Sequence, residues 1–164
     1  MNNKYKNILI PVDLAHESSW RSALPMAVEQ ARNNDARLHV VTVVPNADIP
    51  AIAAHLPSGI DRHIKEEGKG NLKALVERLV PDNIITSVTV GQGRIYKEVL
   101  RIAREADADL IVMASHRPEL TDYLIGANAS HVMRHAQCSV LVVREKVQEK
   151  TRERTARNQQ GVAS

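Results

Sequence analysis

Short apolar runs alternate with amphipathic stretches along most of the chain. Five runs are rich in Val, Ile, Leu or Ala and have the length of strands buried on both faces; they are residues 7–13, 36–44, 84–90, 110–114 and 140–143. Between these runs, apolar residues recur at helical spacing. Because parallel strands are joined by helical crossovers, the alternation predicts an α/β fold, a single doubly wound, Rossmann-like parallel sheet of five strands with four helices.

Single residues predict details of the first two helices. Ser18 or Ser19 can cap the first helix, and Pro25 is expected to bend it. The second helix is predicted near residues 62–80, where Gly68 and Gly70 should weaken it by about 1 kcal/mol each relative to alanine. We therefore expect the first half of the second helix to fray.

A Gly-x-Gly pair, Gly91 and Gly93, follows the third predicted strand. As a phosphate-binding motif it is weak, because Tyr96 stands where the third glycine of a dinucleotide fingerprint would be. We interpret the pair as a tight turn into the third helix.

Asp13 directly follows the first strand. In open α/β sheets, ligands bind beyond the carboxyl ends of the strands, near the point where the strand order switches. Asp13 is therefore a candidate hydrogen-bonding group for a ligand. An equally open interpretation is that Asp13 caps the turn into the next helix.

The stretch from Ala108 to Val143 predicts a strand, a loop, a helix and a last strand, and its loop is a candidate anion site. Gly126 precedes the helix, whose first backbone N–H groups and dipole attract anions without any side chain. Arg117, in the same loop, can add a charge-assisted hydrogen bond to phosphate oxygens. From these residues alone, an ordinary loop with a solvated Arg117 is the open alternative.

The run LIVMASHRPELTDYLIGANASHVMRHAQCSVLVV resembles the universal stress protein family, and the likeness in element order extends over residues 5–144. That family is recognised by a strand ending in Gly-x-x-Gly, a spacer, Gly-Ser or Gly-Thr, a helix and a last strand of the Cys-Pro-Val-Leu-Val-Val type. Here Ala114 and Arg117 stand at the first two glycines, the spacer is one residue shorter, and Ala127 replaces the Ser or Thr. The Ser-His-Arg-Pro loop is similar to that of a small bacterial subgroup with these replacements.

The resemblance implies the strand order 3-2-1-4-5 and an ATP site, with or without Mg²⁺, at the switch between the first and fourth strands. Adenosine would lie at the ends of the first, second and fourth strands, and the phosphates on the backbone of residues 126–130. Val43 is equally well explained as a plain core residue. The implied contact residues are Pro11, Val12, Asp13, Val43, Met113, Ala114, Ser115, His116, Arg117, Gly126, Ala127, Asn128, Ala129 and Ser130.

The resemblance also implies a homodimer that pairs through the exposed edge of the last strand, Val140–Val143. The implied role is regulation or stress protection, with a further, unspecified protein partner. The alternative is a nucleotide-free dimeric adaptor of the same fold. The replacements at Ala114, Arg117 and Ala127 favour that alternative.

Length and charge predict one domain with a tail. Of the 164 residues, 1–144 are expected to form the α/β domain and 145–164 a basic, disordered tail. Five Lys and Arg against three Glu give that tail +2 of the formal net charge of +3. Because the domain itself is nearly neutral and poor in aromatic residues, nucleic-acid binding is not expected.

Cellular location follows from what the sequence does not contain. No apolar run approaches the length of a membrane span, and the N-terminus has no signal-peptide core, so we expect a cytoplasmic protein without membrane association. Cys138 is the only cysteine, which excludes an internal disulfide. We interpret Cys138 as a small buried hydrophobe.

The signatures of common enzyme sites are missing. Ser115 lacks the flanking glycines of a serine-hydrolase elbow, and no Walker A motif is present. His131 and His135 have the spacing of a metal-binding pair, but the Glu of zinc proteases is absent, so no metal site is predicted. We assign no catalytic residue and expect at most slow ATP hydrolysis or autophosphorylation.

Overall fold

The computed structural model describes residues 4–44, 46, 59–115 and 126–144. Its strands are β1 (Asn7–Pro11), β2 (Arg37–Val44), β3 (Thr86–Gln92), β4 (Leu110–Ala114) and β5 (Ser139–Val143). Its α-helices are α1 (Ala23–Asn34), α2 (Ile60–Leu79), α3 (Ile95–Glu105) and α4 (Ala127–His135), with a short 3-10 helix, Glu17–Ser19, before α1. His116, Arg117 and the tail predicted over 145–164 lie outside the described residues.

The five strands form one parallel sheet in the order β3-β2-β1-β4-β5, which confirms the prediction. β1 is central and pairs on one side with β2, from Asn7↔Arg37, and on the other with β4, from Ile8↔Leu110. The chain builds outward from β1 to β3 and then returns to place β4 on the opposite side of β1. The strand order therefore switches between β1 and β4, where the carboxyl ends of the strands leave room for a ligand.

Alternate residues of each strand supply two cores, one on each face of the sheet. One core contains residues of α1 and α2, and its largest fully buried members are Ile8, Ile10, Leu24, Leu38 and Leu72. The other contains residues of α3 and α4, including Leu9, Val41, Val99, Ile111 and Val132. Both faces are covered, as expected for strands that are apolar throughout.

The start of the first helix was predicted too early. Ser19 belongs to the 3-10 helix, and α1 begins only at Ala23. Pro25 is consequently the third residue of α1, within the first turn, where its missing N–H breaks no helical hydrogen bond. The bend predicted at Pro25 therefore has no cause.

Gly68 has a packing role that the prediction of fraying missed. It is buried in α2, and an added Cβ would lie 3.2 Å from Cγ1 of Val44 on the sheet. The glycine thus lets α2 approach the sheet closely. Of the predicted turn pair, only Gly93 forms the tight turn before α3, with a φ of +127°. Gly91 lies within β3, which continues to Gln92, so the turn begins later than predicted.

Candidate functional site

Backbone and side-chain hydrogen bonds fix the carboxyl end of β1 to β2. The N–H of Val12 donates to the carbonyl oxygen of Val41 at 2.7 Å. The hydroxyl of Thr42, itself buried, donates to the carbonyl oxygen of Val12 at 2.8 Å. Because both backbone groups of Val12 are satisfied, the chain leaves β1 in a defined direction toward Asp13.

Asp13 organises the loop that follows β1. Its Oδ1 accepts the N–H of Ala15 at 3.0 Å, which forms an Asx turn, and its Oδ2 lies 2.8 Å from Nδ1 of His16. The hydroxyl of Ser19 accepts the N–H of Asp13 at 2.8 Å. The carboxylate therefore caps the turn, the second interpretation offered above. At 32% exposure it also keeps a surface open to solvent.

The carboxyl end of β4 is joined directly to the start of α4. The N–H of Ser115 donates to the carbonyl oxygen of Val143 at 2.8 Å, and the N–H of Gly126 donates to the carbonyl oxygen of Ser115 at 2.8 Å. Ser115 and Gly126 are thus brought together, as the anion-site hypothesis requires. The 3-10 helix that follows Asp13 lies beside β4, so the segment after β1 and the end of β4 together flank the crevice that is expected at the switch in strand order.

Gly126 is the N-cap of α4, and its geometry explains why a glycine suits an anion site. Its φ of −54° and ψ of 149° are accessible to any residue, so backbone strain does not require glycine. Among the described residues outside its chain neighbours, a Cβ there would meet only the carbonyl oxygen of Ser115, at 3.5 Å. No side chain from those residues caps α4, so its first amides are candidates for binding an anion.

A family model for the universal stress proteins matches residues 4–144. The chain belongs to the universal stress protein family. Universal stress protein G of Escherichia coli O157:H7 is 32% identical over 143 aligned residues, and the match covers 85% of this chain and 99% of that protein.

Solved structures of universal stress proteins share the fold. One in complex with cAMP has a TM-score of 0.56 and 21% identity, covering 87% of this chain and 99% of its own. The protein from Archaeoglobus fulgidus in complex with dAMP has a TM-score of 0.57 and 17% identity, covering 85% of this chain and 98% of its own.

The residues that the family resemblance implies for the site differ in how far their side chains are buried. The side chains of Val12, Met113, Ser115 and Ala129 are buried, so these residues can offer a ligand only their main chain or a small part of their surface. Partly or fully exposed are Pro11, Asp13, Val43, Ala114, Gly126, Ala127, Asn128 and Ser130. Among the described residues, the candidate site would therefore contact a ligand largely through the backbone.

Three residues near the crevice were missed by the sequence reasoning. His16 and Ser19 form hydrogen bonds with Asp13. No sequence motif identifies either residue as a partner of Asp13. Thr42 could have been found, because a hydroxyl within an otherwise apolar buried strand needs a hydrogen-bond partner.

A cleft of about 370 Å³ lies elsewhere, at the amino ends of β4 and β5 between the last turns of α3 and α4. Its lining includes Leu100, Arg104, His135 and Cys138. Because it opens at the end of the strands opposite Gly126, it is separate from the crevice. Burial, followed by the charge of Asp109, raises the pKa of the Cys138 thiol, so Cys138 is a poor nucleophile.

Neither a metal cluster nor a membrane helix is found in the part of the chain that the structure describes. No group of three or more His, Cys, Asp or Glu residues there is placed to hold a metal ion. The ring of His131 stacks on Tyr96 at 4.4 Å and lies 6.4 Å from the ring of His135. No helix in the same residues is long and apolar enough to cross a membrane.

Proposed function

We propose that this universal stress protein binds ATP in the crevice between the carboxyl ends of β1 and β4 and acts as a cytoplasmic, regulatory or stress-protective homodimer. The observation that carries the proposal is Gly126: a residue without a Cβ stands at the N-terminus of α4, which no side chain of the described residues caps, and its conformation does not require glycine. Close approach of a ligand to the backbone explains why a glycine occupies this position.

The phosphates are assigned to the backbone of residues 126–130. The N–H groups of Ala127, Asn128 and Ala129 have no partner within the helix, whereas those of Gly126 and Ser130 donate to Ser115 and Gly126. The helix dipole favours negative charge at this end. No acidic residue lies in the first turn of α4 to repel an anion. His116 and Arg117 remain proposed phosphate contacts from the sequence, as does Mg²⁺ bound with the nucleotide.

Adenosine is assigned to the other wall of the crevice, formed by the ends of β1 and β2. Thr42 and Ser19 hold the backbone of Val12 and Asp13 in place, so the polar groups of this wall are preorganised. The partly exposed Asp13 carboxylate and the Val43 side chain can contact the base or ribose. Complexes of same-fold proteins with cAMP and dAMP support an adenine nucleotide as the ligand class.

The dimer is assigned to the edge of β5. In the described residues β5 pairs only with β4, so alternate backbone groups on its other edge can pair with a second copy. Leu141 and Val143 pack against one core and Val140 against the other, which makes β5 a rigid edge.

A nucleotide-free dimeric adaptor of the same fold is the second proposed function. Ala114 and Ala127 stand where the family pattern has Gly and Ser or Thr, which removes one flexible position and one hydroxyl from the phosphate wall. Under this alternative the protein would still dimerise through β5.

Denaturing the purified protein and assaying the supernatant for released adenine nucleotide tests the proposal directly. A second test is unfolding with and without ATP: at 100 times the Kd, ATP should stabilise the fold by about 2.7 kcal/mol. Gly126→Val should abolish that stabilisation, because its side chain would fill the space above the helix amides.

The matched control is Gly70→Ala, at an exposed position where an added Cβ meets nothing within 4 Å. It should keep the full ATP effect. If the wild type carries no nucleotide and ATP does not stabilise it, the ATP proposal is refuted and the adaptor is the proposed function that stands. If Gly126→Val responds to ATP like the wild type, the helix amides are not the phosphate site.

A further inference from the structure

Three polar side chains form a hydrogen-bonded row across the sheet, at the end opposite the crevice. Ser87 Oγ on β3 lies 2.7 Å from Nδ1 of His39 on β2. His39 Nε2 lies 3.2 Å from Oδ1 of Asn7 on β1. The register pairs His39 with Leu9 and with Ser87, and Leu9 belongs to the core on the α3 and α4 face. Asn7, two residues before Leu9, points to that face as well. The side chains of Asn7, His39 and Ser87 are all partly exposed.

The hydrogen bonds fix which nitrogen of His39 carries the proton. The Asn7 amide nitrogen donates to the carbonyl oxygen of Asp107 at 3.4 Å, which leaves the amide oxygen to face His39. An amide oxygen only accepts, so Nε2 of His39 carries the hydrogen. Nδ1 then has a lone pair, and the hydroxyl of Ser87 donates its proton to it.

His39 is kept in the form that can accept a proton. Burial, and after it the charge of Arg37, lowers the pKa of His39, so the imidazole is neutral at pH 7. A hydroxyl hydrogen-bonded to a neutral imidazole, which a third group orients, is the arrangement that activates serine nucleophiles.

An edge-strand amide adjoins Ser87. The N–H of Leu38 donates to the carbonyl oxygen of Ile85, so Ile85 and every second residue after it direct their backbone groups toward β2. Val88 therefore directs its N–H the other way, toward the edge where, among the described residues, no strand pairs with β3. A backbone N–H beside a nucleophile can stabilise the oxyanion that forms during acyl transfer.

We propose that Ser87 is a self-acylation site that accepts an acyl group from a small activated ester or thioester. Ser87 Oγ forms a bond to the acyl carbon while its proton passes to Nδ1 of His39. The bond from the acyl carbon to the leaving oxygen or sulfur then breaks, and the leaving group departs with that proton, so no oxidant or reductant is needed. With His39 neutral the row carries no net charge, which suits a neutral acyl group better than a phosphoryl group, whose oxygens need cations.

The test uses the full chain and p-nitrophenyl acetate as the probe. The wild type should release one equivalent of p-nitrophenolate in a burst, gain the mass of one acetyl group, and carry that acetyl on Ser87 in peptide maps. Ser87→Ala should lose the burst. His39→Gln should slow it at least about 100-fold, because a general base contributes that much. Thr89→Ala, which removes a hydroxyl from the same face of β3, should react like the wild type.

Peptide mapping of the wild-type adduct decides the matter even if a variant fails to fold. Absence of a burst, acetyl found only on lysines or other residues, or an undiminished burst in Ser87→Ala would each overturn the proposal. The site is distant from the crevice, so these results are independent of whether ATP binds.

Discussion

Thr42→Val is the sharpest test of how the crevice wall is held. Valine nearly matches threonine in shape, so the change removes a hydrogen bond without opening a large cavity. Thr42 is only 3% exposed, and its hydroxyl donates to the Val12 carbonyl at 2.8 Å. The substitution leaves that carbonyl without its partner among buried groups, since Val12 is 4% exposed. The expected loss in the free energy of unfolding is about 1–3 kcal/mol.

Urea unfolding followed by circular dichroism measures this loss. The transition midpoint should fall while the slope m stays unchanged, because the folded state buries the same surface. Thr89→Val, at a partly exposed position on β3, is the matched control and should change stability by no more than about 0.5 kcal/mol. Equal unfolding free energies for Thr42→Val and the wild type would refute the reasoning that this hydroxyl anchors the end of β1.

Three further predictions follow from the helices, the histidine row and the sheet edge. Gly70→Ala should raise the unfolding free energy by about 1 kcal/mol. Gly68→Ala should raise it by less, because the added Cβ would lie 3.2 Å from a valine on β2. Equal increases for the two variants in urea unfolding would contradict the close packing of α2 against the sheet. Because the pKa of His39 is lowered by folding, the folded protein binds fewer protons than the unfolded chain below about pH 6.5. The stability that neutral His39 contributes is therefore complete above that pH, and it is lost as the pH falls through the folded-state pKa. His39→Gln should flatten the pH dependence of unfolding in that window, and an unchanged profile would assign it to other groups. Val142→Pro should convert the proposed dimer to a monomer in light scattering without unfolding the protein. Odd-numbered residues of β5 make the hydrogen bonds to β4, so proline at position 142 removes only an N–H on the outer edge. A variant that stays dimeric would exclude this edge as the interface.

The sheet could be predicted because its information is local, whereas helix starts and side-chain contacts depend on the folded structure. Each strand is a short apolar run, and the order of the strands came from the family resemblance. The start of α1 was misplaced because Ser19 looks like a helix cap, yet its hydroxyl is engaged by the backbone of Asp13. Nothing in the sequence distinguishes those two partners.

The orientation of functional groups was less accessible to prediction. Asp13 was correctly placed at the end of β1, but its carboxylate is shared between its own turn and solvent, a balance set by a few local hydrogen bonds. The row of Ser87, His39 and Asn7 was not predicted at all. It joins three strands far apart in sequence, and their register became known only from the structure.

The hydrogen bond between the Gly126 amide and the Ser115 carbonyl holds together two residues that are eleven positions apart in the chain. The sequence between them can vary without removing either of these two backbone groups. Lengthening it adds little entropic cost, about 0.6 kcal/mol for each doubling. Exchanging the sequence between Ser115 and Gly126 for that of a relative should thus leave both anchoring residues paired, which makes the exchange a clean way to measure what residues 116–125 contribute to the proposed nucleotide binding.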